Sequence, residues 1–117
     1  MDRDSMSLEF KEGSAKLSEL QEKGVIDWVN RMQSNKKEIR AHVASWAKQI
    51  SAAPTSKEQR LIDARNKSLE KILEAKGLKV AVNQTPWRCP SAAAHEICNV
   101  QLKNAKPSSS VIVFSPN

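Results

Sequence analysis

The chain contains no tyrosine, only three glycines and only two cysteines, and its aromatic residues are confined to Phe10, Trp28, Trp46, Trp87 and Phe114. Each scarcity excludes something. So few glycines leave no glycine-rich loop of the kind that brings backbone N–H groups around a phosphate. With few aromatics, large apolar side chains are rare, and each one placed in a core counts. No apolar run approaches the ~18 residues that would cross a bilayer, so a membrane partner is not expected. The opening Met-Asp-Arg-Asp-Ser-Met has no basic-then-apolar leader, and the expectation is a chain that stays in the cytoplasm.

Cys89 and Cys98 are too few to staple a secreted scaffold, and they suit free thiols in a reducing compartment, although a bridge between them is sterically allowed. With His95 they form the one cluster that resembles metal ligands. There is no Cys-x-x-Cys pair, and a fourth ligand would have to come from distant His42 or a carboxylate. Cysteines acting as small apolar residues explain the pattern better, so no metal and no cofactor are expected. A cysteine–histidine nucleophile pair would need a third, orienting group, and Glu96, adjacent to His95, points elsewhere on a helix. The chain is therefore not expected to be an enzyme.

What is present is charge and helical periodicity. The 117 residues suffice for one domain with a modest core. The net charge of +6 is uneven: residues 1–24 are net acidic, and the rest is basic throughout. Such a balance favours acidic partners and raises encounter rates with polyanions. No block of like charges makes that preference stronger.

Val25, Val29, Met32, Ile39, Val43, Trp46 and Ile50 recur at alternating four- and three-residue steps, interrupted by Lys36 where an apolar residue should fall. The spacing predicts one long helix over about 25–51, with a break at Ser34–Asn35 as the competing reading. Before it, Phe10, Leu17 and Leu20 give a weak stripe. A marginal first helix is expected between about Ser7 and Glu22, with a start after Gly13 as the competing reading, stopping at Gly24. Pro54 ends the long helix. Thr55 with Glu58 three residues later is a capping box that opens a further helix to about Lys76, closed by Gly77. The short connection between the two long helices predicts an antiparallel helical hairpin.

After Gly77 the apolar period becomes two. Leu78, Val80 and Val82 read as a short strand, 90–97 as a short helix, and 99–104 and 110–114 as two further strands. Val111-Ile112-Val113-Phe114 has the composition of a buried strand. The fold class expected is α+β and mainly helical: an N-terminal antiparallel helical hairpin or small bundle over 1–77, followed by a three-stranded β segment with one short helix over 78–117, together one folding unit.

The functional expectation is a small non-enzymatic interaction protein, an inhibitor, adaptor or assembly factor, that binds a larger protein or nucleoprotein complex. Trp87 and Arg88, in a proline-flanked loop, would make contact there, because tryptophan and arginine are enriched at binding hot spots. Lys36, where the seam is weakened, and Arg40 would add a second contact. A homo-oligomer is also compatible with the seam. The alternative is a nucleic-acid-binding accessory protein that uses Lys37, Arg60, Lys67, Lys71 and Lys103 as phosphate contacts.

Overall fold

The computed structural model describes residues 3–34, 38–47, 53–87 and 109–114. They form β1 (Arg3–Leu8), α1 (Glu19–Gln33), β2 (Arg40–Ser45), α2 (Ser56–Ala75), β3 (Lys79–Val82) and β4 (Ser109–Phe114). The four strands make one mixed sheet in the order β1-β4-β2-β3. β4 is antiparallel to both of its neighbours. β2 and β3 are parallel, and α2 supplies the crossover that parallel neighbours require.

This overturns the expected helical hairpin followed by a three-stranded C-terminal segment. The described residues hold two helices and a four-stranded sheet, and two of its strands come from the region read as helical. The long helix over 25–51 is instead α1 followed by β2. Val25, Val29 and Met32 lie on α1, whereas Val43 lies on β2 with Ile39 and Trp46 flanking it. The physical reason is a degeneracy of spacing. The four-residue step from Ile39 to Val43 is one helical turn, but it is also two strand repeats, and Ile39, Ala41 and Val43 are all buried as a period-two set. Pairing with β4 and β3 decides between the two periods. Lys36, the polar interruption of the seam, and the last seam residue, Ile50, lie outside the described residues.

The first helix is also displaced. Residues 3–8, the last two of them inside the expected first helix, are strand β1, and α1 begins at Glu19. Ser18 caps it: its hydroxyl accepts from Gln21 N while Gln21 Oε1 accepts from Ser18 N. This capping box satisfies two of the donors a helix start leaves open. Gly24 does not stop the helix, which runs through it to Gln33.

α2 follows its local signals. Thr55 Oγ1 accepts from Glu58 N, and Glu58 Oε1 accepts from Thr55 N. At the other end Gly77, at φ +85°, donates to Glu74 O, and Leu78 N donates to Leu73 O. That bond pair is the Schellman stop, with Leu73 and Leu78 both buried behind it. The terminal apolar run forms β4, as its composition suggested. The expected short helix over 90–97 and strand over 99–104 lie outside the described residues.

Both helices pack on the sheet face that carries Leu8, Ala41, Val43, Val111 and Val113, to which they add Val25, Trp28, Val29, Leu69 and Leu73. The second face is covered at its centre, since Ala44, Ser110 and Ile112 are fully buried. β4 is thus a central strand, apolar on both faces, which accounts for its unbroken β-branched run.

Candidate binding groove

The two helices run in the same direction. At their C-terminal ends Gln33 Nε2 donates to Lys76 O at 2.8 Å. The segment that leads into α1 is tied further back along α2, where Ser68 Oγ donates to Ala15 O at 2.6 Å. The antiparallel pair expected from the short connection is therefore replaced by a parallel pair, with β2 returning the chain between the helices.

Arg65 positions the leading segment. It sits on the stripe of α2 that includes Ile62, Leu69 and Leu73, and only 3 % of it is exposed. Its Nε donates to Ser14 O at 2.8 Å, its Nη1 to Trp46 O at 2.9 Å and its Nη2 to Lys11 O at 3.1 Å. The guanidinium also lies 5.2 Å from the centre of the Phe10 ring. One planar, forked cation thus joins α2, the end of β2 and the loop before α1, a geometry suited to arginine rather than lysine. Desolvation by burial pulls its pKa below the ordinary arginine value.

With that loop fixed, a groove of about 390 Å³ opens between the helices. Leu17, Ile26, Ile72 and Ala75 supply its apolar surface. Lys16 stands on the side of the leading loop, and Lys71 and Lys76 on the side of α2, against a single carboxylate, Glu22. None of the three ammonium groups makes an ion pair with a described residue. A second concavity of about 410 Å³, lined by Lys11, Ser14, Lys16, Leu17, Ser18 and Gln21, shares Lys16 and Leu17 with the first. The two lie side by side on the loop that Arg65 holds.

Of the contact residues expected from the sequence, only Lys71 lines this groove. Arg60 and Lys67 are exposed on α2 with it but lie outside the groove. Arg40 pairs locally with Glu38 at 3.2 Å, so its charge is already engaged. Trp87 is half-buried in the turn after β3, next to fully buried Pro86. Arg88, Lys36, Lys37 and Lys103, like Cys89, His95 and Cys98, lie outside the described residues. No helix among the described residues is long and apolar enough to cross a membrane.

Sequence reasoning missed Arg65, Lys16, Lys76, Ile26 and Leu17 as parts of one site. Arg65 left a trace: it interrupts the apolar stripe of α2 between Ile62 and Leu69, and a polar residue on a buried line needs partners. Lys16 left none, because it belongs to a loop with no periodicity.

No protein-family model matches this chain, and no curated protein matches it.

Proposed function

We propose that the protein is a small, non-enzymatic interaction protein and that the α1–α2 groove is its principal binding face. One observation carries this reading: a parallel helix pair leaves apolar side chains open between two lips whose three ammonium groups have no ion-pair partner among the described residues. Apolar surface rimmed by charge is the usual anatomy of a recognition site. The described groups whose protonation is displaced, His42 and Arg65, do not line the groove, and Arg65 is engaged in holding the loop. Trp87 serves in this reading as a second contact for a larger protein or nucleoprotein complex, since a half-buried indole retains surface to offer.

Capture of a partner by the full chain and by a Lys16→Glu, Lys71→Glu variant tests the groove. Both residues are exposed, so the fold should survive the change. Partner retention should fall in the variant. Equal retention by both proteins refutes the assignment of the binding face.

A nucleic-acid accessory role is the second reading, favoured by the exposed row Arg60, Lys67 and Lys71 on α2. Asp63, also exposed, lies within that row and accepts from Gln59 at 2.8 Å, which weakens the row as a phosphate track. Elution from a polyanion column that collapses between low and moderate salt would favour this reading.

The proposed compartment is cytoplasmic. Alkylation of both Cys89 and Cys98 in protein isolated with its thiols trapped supports this. A Cys89–Cys98 bridge in the same preparation would assign an oxidising compartment instead.

A further inference from the structure

We infer that the occupant of the α1–α2 groove is an acidic, amphipathic peptide segment of a partner protein. The inference rests on the proposed binding face and adds the chemistry of what binds there.

Three features select that class. First, the surface contributed by Leu17, Ile26, Ile72 and Ala75 is apolar, and it favours a ligand that brings aliphatic side chains. A phosphodiester backbone brings none. Second, the lining carries Lys16, Lys71 and Lys76 against Glu22 alone, a local excess of two positive charges. Complementary carboxylates would gain attraction at every lip and would be steered to the groove. Third, the cations are dispersed. Lys71 lies on α2, and Lys76, five residues on, is the residue that caps its C-terminal end, more than a helical turn away. Lys16 stands on the other lip. One carboxylate head on an apolar tail could meet only one of these positions, whereas a peptide with several acidic residues can meet all three while its apolar side chains point inward.

The groove is also bounded along its length. Ser68 joined to Ala15 fixes one position, and Gln33 joined to Lys76 fixes the C-terminal end of the helix pair. Between these ties the lips are held at a set separation, so little ordering is needed when a segment docks.

The test uses the full chain with isotopically labelled isoleucine and leucine methyl groups. It is titrated with a short synthetic peptide alternating Glu and Leu. Three comparison probes are the same peptide with Glu replaced by Gln, the same peptide with Glu replaced by Lys, and a single-stranded oligonucleotide. The expected result is that the Glu–Leu peptide shifts the Ile26, Ile72 and Leu17 methyl resonances. Lys16→Glu with Lys71→Glu should weaken that binding by about tenfold or more, and added salt should weaken it further. Equal binding by the Gln peptide overturns the acidic requirement and leaves the groove as the binding face. Oligonucleotide shifts at these methyl groups, with none from the Glu–Leu peptide, overturn the peptide class. If no probe moves these methyl groups, the inference fails. The proposed binding face itself falls only if partner capture is also unaffected by the double substitution.

Discussion

Trp28 donates its indole N–H to the Asp4 carboxylate at 2.9 Å, which ties the middle of α1 to edge strand β1 across 24 residues of sequence. The indole body is buried and its polar edge reaches outward to an exposed carboxylate, so one side chain serves the core and the strand together. Trp28→Phe should keep most of the packing and cost about 1 kcal/mol from the lost hydrogen bond, beyond any packing change. Asp4→Ala should be costly in the parent and nearly neutral in the Trp28→Phe background. Urea unfolding of the four proteins gives the coupling, and an Asp4→Ala penalty that is the same in both backgrounds would show that the bond contributes nothing.

Arg65 holds three carbonyls from two segments, the loop before α1 and the end of β2, and lysine has one nitrogen with which to replace its fork. Arg65→Lys should therefore destabilise the fold by about 1–3 kcal/mol, because buried carbonyls lose their donors. The effect should extend to the groove, since the loop carrying Lys16 and Leu17 is the segment released. Amide hydrogen exchange in residues 11–18 should accelerate more than exchange in β4. Uniform acceleration throughout would mean that Arg65 contributes only to global stability.

His42 is half-buried on β2, and desolvation holds its pKa below the ordinary 6.5. In the window between 6.5 and the lower folded-state value, the unfolded chain binds more protons than the folded one. Stability therefore rises with pH through that window and is fully present above it. It is lost as pH falls through the window and is flat with respect to His42 below the folded-state value. His42→Gln should remove this part of the pH dependence when urea midpoints are compared from pH 7.5 down to pH 5. An unchanged slope would assign it to the carboxylates.

Gly24 lies inside α1, is exposed, has no positive φ, and has nothing within 4 Å of the position a Cβ would take. Gly24→Ala should raise stability by about 0.5–1 kcal/mol through helix propensity and a less flexible unfolded chain. Gly77→Ala should act oppositely, because the Schellman stop of α2 needs φ +85° there. A thermal melt of the two variants separates the cases by sign.

Helix α2 was legible because its signals are local. Thr55 and Glu58 start it, Leu69 and Leu73 mark its inner line, and Gly77 stops it within a single stretch of chain. β4 was legible from composition, as only a strand buried on both faces uses Val111-Ile112-Val113 without alternation. β1 was not, since Arg-Asp-Ser-Met-Ser-Leu has few strand formers and owes its conformation to β4, more than 100 residues away. β2 was read as helix because Ile39 and Val43 satisfy both periods, and the neighbour that breaks the tie is again β4. The groove was illegible for a related reason. It depends on the helices being parallel, and that orientation follows from β2 turning back between them.

The last of the described strands in sequence is an inner strand of the sheet. During synthesis β1, α1, β2, α2 and β3 all leave the ribosome before Ser109–Phe114 is available. Until then β1 has no partner among the described strands, and β2 presents one bare edge. Folding of the sheet is therefore deferred until Ser109–Phe114 has been made, and the nascent chain spends that interval as a species that others of its kind could pair with. Polar Ser5 and Ser7 on β1 keep that waiting strand a poor template for such pairing.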